Sequence, residues 1–144
     1  MKKSDVYKEV AVQTSSPTGL VVMLYEGAIR NLRDSTDAIR KNDLERKRQS
    51  IDHAVAILQH LQSTLDRERG QAIAADLDNL YNYIISRVLQ GSSKLDVEPL
   101  EEAAKLLTVL LSGWEQLVKK EPQQVVPSVL LTQQSSPMTF GFRV

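Results

Sequence analysis

The residues that could support chemistry in this chain are few and widely spaced. Its two histidines, His53 and His60, are seven positions apart and lie off the apolar stripe of their predicted helix, so both are expected on an outward face. A carboxylate-bridged di-iron centre in a helical bundle needs Glu-x-x-His pairs on two helices. The sequence contains no Glu-x-x-His. We therefore expect surface histidines and no metal site.

Nucleophilic catalysis also finds no support in the residues. The sequence has no cysteine, no Gly-x-Ser-x-Gly elbow and no glycine-rich phosphate loop. Ser15 and Ser16 precede Pro17 and fit helix capping better than catalysis. We predict a protein that is not an enzyme and needs no cofactor. A metal-binding or enzymatic helical bundle is the alternative of another class, and a structural bundle without any partner is a further one.

Composition and charge restrict the partners. The 144 residues suit one domain, and 18 Lys and Arg balance 18 Asp and Glu, which gives no field to attract nucleic acid. A basic cluster between residues 40 and 48 is interleaved with Asp43 and Glu45 and has no aromatic neighbour. No signal-peptide h-region and no stretch of about 18 apolar residues is present. We expect a cytoplasmic protein without membrane insertion and without nucleic acid.

Helical periodicity covers most of the chain. Apolar residues recur at three- and four-residue steps from Pro17 to Leu117, and this pattern predicts four helices. The predicted boundaries are, in chain order, Ser16-Pro17, Asn42-Asp43, a turn from Asp66 to Gly70, a stop at Gly91-Ser92-Ser93, and a start after Asp96. Helices of this length with short connections favour an all-α, antiparallel four-helix bundle. The predicted division is an arm over 1–16, the bundle over 17–120 and an irregular tail over 121–144.

The first and fourth helices carry more apolar residues than one core face needs. We interpret this surplus as a partner-binding surface, because broad apolar faces on a bundle commonly mark such sites. Its predicted residues are Leu20, Met23, Tyr25, Leu106, Val109, Leu110 and Trp114. The alternative is that these residues fill the core and that the two termini cover the remainder.

Four blocks in chain order resemble the flagellar secretion chaperone FliS family. They are Tyr7 with Val12-x-Thr14-x-Ser16-Pro17-x-x-Leu20; Met23-Leu24-Tyr25-Glu26-Gly27-Ala28; Ala54, Ile57 and Leu61 with Leu65-Asp66 and Gly70; and Leu77-x-x-Leu80-Tyr81-x-Tyr83-Ile84 with Trp114. The resemblance covers residues 7 to about 117. The sequence departs from the family pattern at Gly91-Ser92-Ser93, where the family often has Ala-Asn, and over residues 122–144.

The resemblance implies a cytosolic chaperone. Its partner would be the disordered C-terminal segment of flagellin, which it would keep from premature polymerisation and help deliver to components of the flagellar type III export gate. The resemblance also implies that the arm, with Tyr7, Val10 and Val12, covers part of a hydrophobic groove. A different export substrate, such as an anti-sigma factor, is the alternative partner. The tail faintly resembles the end of flagellins, which suggests that it imitates the client in a groove of its own bundle or a neighbour's.

Overall fold

The computed structural model of the protein describes residues 17–120, and these residues form four α-helices. They are α1 Pro17–Arg40, α2 Leu44–Ser63, α3 Arg67–Lys94 and α4 Val97–Lys120. Each helix packs against the next along the chain, and α4 packs back on α1. The predicted all-α four-helix bundle is confirmed. The predicted arm and tail lie outside the described residues.

Polar contacts between helix ends show the direction of the helices. Arg40, the last residue of α1, donates from Nη2 to Glu101 Oε2 near the start of α4 at 2.8 Å. Lys47, near the start of α2, donates from Nζ to the Ser92 carbonyl near the end of α3 at 3.2 Å. Start therefore meets end in both pairs, and these helices run antiparallel.

The predicted helix starts follow from local capping chemistry. α1 begins at Pro17, whose fixed φ suits the first turn and whose missing N–H has no partner to lose. Aspartates precede the other three helices, and their side-chain oxygens accept hydrogen bonds from backbone N–H groups two or three residues further on, at 3.0 to 3.2 Å. These residues are Asp43, Asp66 and Asp96. The predicted starts at Pro17, after Asp43 and after Asp96 are confirmed.

The predicted turn from Asp66 to Gly70 is only partly correct. α3 already begins at Arg67, and the Gly70 N–H donates to the Asp66 carbonyl at 2.7 Å, which closes one helical turn. Gln71 then has φ 45° and ψ −118°, a non-helical conformation that kinks the helix. Residues 67–70 thus form a helical turn capped by Asp66, where the sequence pattern predicts a loop. The change of chain direction falls at Gln71, inside the helix.

The predicted stop at Gly91-Ser92-Ser93 is wrong. α3 continues to Lys94, and Leu95 is the residue in the left-handed conformation that ends it, with φ 53° and ψ 40°. Gly91 lies buried within the helix, where an added Cβ would stand 2.8 Å from the Asp96 carbonyl oxygen and 2.9 Å from Leu100 Cγ. The glycine therefore allows the start of α4 to approach α3 closely, and does not end the helix.

All four helices contribute to one hydrophobic core. Its buried members on the helices are Val21, Val22, Tyr25, Ala28, Ile29, Leu32, Ile51, Ala54, Leu58, Leu61, Tyr81, Ile84, Val88, Leu100, Ala103, Leu107 and Trp114. Most of the apolar residues that recur at three- and four-residue steps lie in this core or pack against it. The clearest exception is Ile73, which is 54% exposed and lies two residues after the kink at Gln71.

Gly91 of α3 and Gly113 of α4 should respond oppositely to alanine. Gly91→Ala places a methyl group against backbone and Leu100, and we expect it to lower the free energy of unfolding by about 1–3 kcal/mol. Gly113 has no atom within 4 Å of an added Cβ. Gly113→Ala should raise the free energy of unfolding by about 0.5–1 kcal/mol through helix propensity. Urea denaturation followed by circular dichroism measures both; equal effects would contradict the close approach at Gly91.

Candidate functional site

The residues considered for chemistry do not assemble into a reactive site within 17–120. His53 is exposed and His60 is partly buried on α2. Over the described ranges no group of three or more His, Asp or Glu residues is placed to hold a metal ion. In the same residues, no helix has the length and hydropathy to span a membrane. The features that point to function are therefore surfaces.

The main polar feature of the core is a pair of buried tyrosines. Tyr25 on α1 and Tyr81 on α3 are 0% and 2% exposed, and their hydroxyl oxygens are 2.5 Å apart. Their ring centroids are 6.4 Å apart, with the rings tilted by 58°. Burial raises the pKa of both hydroxyls, and the side chain of Trp114 on α4 acts against that rise at Tyr25. Side chains of three helices thus meet around one buried hydrogen bond.

Two residues of the predicted partner-binding set belong to this cluster. Tyr25 is fully buried and Trp114 is 6% exposed. In this conformation their side chains hold α1, α3 and α4 together, and neither presents a free surface. Direct contact of Tyr25 or Trp114 with a partner remains a prediction, and it requires the core to open.

The other five predicted residues do not share one face. Leu106 and Leu110 are partly buried, one turn apart on α4, and pack against the core. Val109 is 65% exposed and lies one residue before Leu110, about 100° around the helix. Leu20 and Met23 are partly buried near the start of α1. Tyr7, Val10 and Val12 of the predicted arm lie outside the described residues.

In the structure, Leu106 and Leu110 belong to a longer apolar surface on α4. Gly113 and Leu117 continue the same line at steps of three and four residues, so the four positions form a second stripe beside the core stripe. The leucines are partly buried, whereas Gly113 is exposed with open space around its Cβ position. A glycine within a row of leucines leaves a shallow depression where another backbone could approach.

The flank of α3 next to this stripe carries two apolar residues, on either side of the exposed Asp76. Arg87 and Tyr83 both bond to Glu102 of α4, and this identifies the side of α3 that faces α4. Leu80 and Ile73 lie seven and fourteen positions before Arg87, on that same side. Leu80 packs against the core and Ile73 is half exposed. We name the resulting surface the α3–α4 strip; it consists of Ile73, Leu80, Leu106, Leu110, Gly113 and Leu117.

A polar cluster marks one end of the α3–α4 strip. Tyr83 donates its hydroxyl hydrogen to Glu102 Oε2 at 2.7 Å, and Arg87 Nε donates to Glu102 Oε1 at 2.5 Å. The hydrogen bonds from Tyr83 and Arg87 hold the pKa of the Glu102 carboxyl below its usual value. The strip begins one turn further along α4, at Leu106, and is uncharged from there to Leu117 on its α4 side.

A second surface lies on the other flank of α4, between α4 and α1. Two adjoining cavities share Arg33 and Thr108 in their walls. Their apolar lining includes Ile29, Leu32, Leu100, Ala104, Val109 and Leu111. Four basic side chains line them as well, and within residues 17–120 Arg30, Arg33 and Lys105 have no ion pair. The lining also includes the acidic residues Glu26, Asp34 and Glu101. This α1–α4 groove therefore combines an apolar lining with charges of both signs.

Sequence reasoning found part of the α3–α4 strip and missed the rest. Leu106 and Leu110 are in the predicted set, whereas the other four residues of the strip are not. The steps of three and four residues that follow Leu110 lead to Gly113 and Leu117 and would have identified both. Only the contacts with Glu102 show that the flank of α3 with Ile73 and Leu80 faces α4.

The chain is similar to known flagellar proteins. A family model described as flagellar protein FliS matches residues 1–121. The flagellar secretion chaperone FliS of Salmonella typhimurium is 33% identical over 118 residues, covering 81% of this chain and 87% of that protein. That of Bacillus subtilis is 31% identical over 115 residues, covering 80% and 85%. The flagellar secretion chaperone FliSB of Pseudomonas aeruginosa is 30% identical over 119 residues, covering 80% and 94%.

The tyrosine cluster predicts an asymmetry between two conservative variants. Tyr25→Phe leaves the Tyr81 hydroxyl without its partner, and we expect it to lower the free energy of unfolding by about 1–3 kcal/mol. Tyr81→Phe leaves the Tyr25 hydroxyl near the Trp114 side chain, whose indole N–H can donate to it, so its cost should be smaller, about 0.5–1.5 kcal/mol. Chemical denaturation of the two variants and of the double variant measures the coupling. A greater loss in Tyr81→Phe would contradict the assigned network.

The same cluster predicts sensitivity to alkali. A tyrosine in the unfolded chain loses its proton near pH 10, whereas burial raises the pKa of Tyr25 and Tyr81 in the folded state. Above about pH 10 the unfolded state binds fewer protons, so the free energy of unfolding falls as pH rises, by up to about 1.4 kcal/mol per unit and tyrosine. Denaturation between pH 8 and about pH 11 should show a steeper loss in the parent chain than in the double phenylalanine variant. Equal slopes would contradict this prediction.

Proposed function

The chain belongs to the FliS family of flagellar proteins, and on that premise we propose that it is a cytosolic export chaperone for flagellin. In this proposal it binds the disordered C-terminal region of flagellin, prevents premature polymerisation and aids delivery to the flagellar type III export gate. The observation that carries the proposal is the family match across residues 1–121, which includes all four helices. Relatives named flagellar secretion chaperone support it.

The α3–α4 strip is the surface on which we propose that the client becomes ordered. A disordered segment cannot bury its apolar residues alone, and it orders when another surface accepts them. Leu106, Leu110 and Leu117 offer such a surface, and Gly113 between them lets a client backbone come close. A client that folds onto the strip hides the residues it would otherwise use for assembly. Because ordering opposes binding, the complex is suited to release at the export apparatus.

We propose that Val109 and the arm residues act at the margin of the strip. A client that wraps around α4 reaches Val109, whose side chain is 65% exposed and which also lines the α1–α4 groove. The groove could accept a carboxylate of the client on Arg33 or Lys105, since neither has an ion pair in the described part of the chain. The arm residues Tyr7, Val10 and Val12 are proposed, from the family resemblance, to cover part of the apolar surface before the client arrives.

If the client binds the α3–α4 strip, a substitution at Gly113 should weaken client binding without destabilising the bundle. Gly113→Glu adds a bulky charge to the α3–α4 strip without removing a core contact, because nothing lies within 4 Å of the new Cβ. We expect it to weaken binding of a flagellin C-terminal peptide by at least about tenfold, or about 1.4 kcal/mol. Isothermal titration calorimetry gives the affinity, and circular dichroism shows whether the peptide gains helix on binding.

Ser112→Glu is the matched control. It adds the same charge at the neighbouring exposed position, about 100° around α4 and off the strip. We expect Gly113→Glu to be at least as stable as Ser112→Glu, because it removes a helical glycine, and only Gly113→Glu to lose client affinity. Equal loss in both variants would contradict the placement on the strip. Absence of binding by the folded parent chain, or binding of an anti-sigma factor in place of flagellin, would contradict the proposed function.

A further inference from the structure

Residues 122–144 lie beyond the family match, which ends at residue 121. This segment, which we name the tail extension, has 23 residues with one charged side chain, Arg143, and no side-chain carboxylate. Between its glutamines it carries Val125, Val126, Val129, Leu130 and Leu131. These apolar side chains would gain free energy if they were buried against protein.

The exit point of the tail extension is close to the α3–α4 strip. α4 ends at Lys120, three residues after Leu117, so the chain leaves the bundle about one turn from the end of the strip. Pro122 disfavours continuing the helix, because the residue before a proline is pushed out of the helical conformation. We therefore expect the chain to leave the α4 axis close to the strip.

We propose that residues 125–131 of the tail extension dock on the α3–α4 strip of the same molecule. The strip runs eleven residues of helix from Leu117 to Leu106, about 17 Å. The six steps from Val125 to Leu131 in extended chain cover about 20 Å. Residues 121–124 supply the reversal of direction, so that Val125 lies near Leu117 and Leu131 near Leu106. In an extended segment Val125, Val129 and Leu131 share one face, and this face packs on the strip.

Charge distinguishes the α3–α4 strip from the α1–α4 groove as the docking surface. The groove is lined by basic and acidic side chains, among them Arg33, Lys105 and Glu101, and the segment 125–131 has no charged side chain to pair with them. Covering these charges with an uncharged apolar segment would cost desolvation without compensation. The four α4 positions of the strip, from Leu106 to Leu117, are uncharged, so docking on them desolvates no charge of α4.

Docking makes the tail extension an intramolecular competitor for the proposed client surface. The docking itself depends only on the strip and the tail extension, whereas the competition rests on the proposed function. If the tail extension covers the strip in about nine of ten molecules, the apparent client affinity is reduced about tenfold. While the client is absent, the docked tail extension also prevents the strip from contacting apolar surfaces of other proteins.

The docking is tested directly by paramagnetic relaxation in the full chain. The sequence has no cysteine, so Ser112→Cys carries the only nitroxide label, beside the strip. We expect strong broadening of the resonances of residues 125–131, and loss of that broadening when Gly113→Glu blocks the strip. Gln59→Cys is the control, because Gln59 is exposed on α2, across the bundle from α4, and its label should leave residues 125–131 sharp.

Three results would overturn the docking. One is equal broadening of residues 125–131 from both labels or from neither. Another is broadening of the arm, residues 6–12, in place of the tail extension by the label at residue 112. The third comes from mixing labelled chains with isotope-enriched unlabelled chains, because broadening in this mixture would place the tail extension on a neighbouring molecule.

The competition is tested with tail variants that leave the bundle untouched. Val129→Asp with Leu131→Asp should abolish the broadening and raise the affinity for the flagellin C-terminal peptide about tenfold. Gln133→Asp with Gln134→Asp adds the same charge outside residues 125–131 and should change neither. Unchanged affinity in the first variant overturns the competition. If no variant binds the peptide while the broadening behaves as expected, the proposed function fails and the docking stands.

Discussion

The buried hydrogen bond between Tyr25 and Tyr81 is the constraint on which the arrangement of the helices depends. Two phenol hydroxyls inside an apolar core must satisfy each other, since an unpaired buried hydroxyl costs about 1–3 kcal/mol. α1 and α3 lie across the bundle from one another, so this bond spans the core. Trp114 joins α4 to the same pair. Neither helix can rotate or slide without breaking it.

This constraint also decides which apolar residues of α4 lie outside the core stripe. Because Trp114 points inward to the tyrosines, the core stripe of α4 is fixed through Leu100, Leu107 and Trp114. The neighbouring apolar positions, from Leu106 to Leu117, then fall on the flank beside α3 and are only partly buried. A narrower apolar stripe would suffice for the bundle alone. This excess is the surface that we propose for the client and for the tail extension.

Two glycines illustrate how the same residue type serves structure in one place and surface in another. Gly91 is buried where α4 begins, and the room for a Cβ is taken by the Asp96 carbonyl and Leu100. Gly113 has open space around it and lies among the leucines of the α3–α4 strip. Both occur within helices, where glycine is unfavourable, so both invite a reason beyond helix formation. Local pattern does not separate the two; their surroundings do.

The sequence by itself determined the number of helices, their starts at Pro17 and after Asp43 and Asp96, and most of the core, because capping and helical period are local properties. The family was also accessible from the sequence, through residues such as Tyr25 and Tyr81 in ordered blocks. Only the tertiary structure decided that Tyr25 and Trp114 lie inside while Leu106 and Leu110 lie beside α3. Periodicity gives the direction of a side chain around its own helix, whereas burial depends on which neighbour occupies that direction. The continuation of α3 through Gly91 was decided in the same way, by the approach of α4.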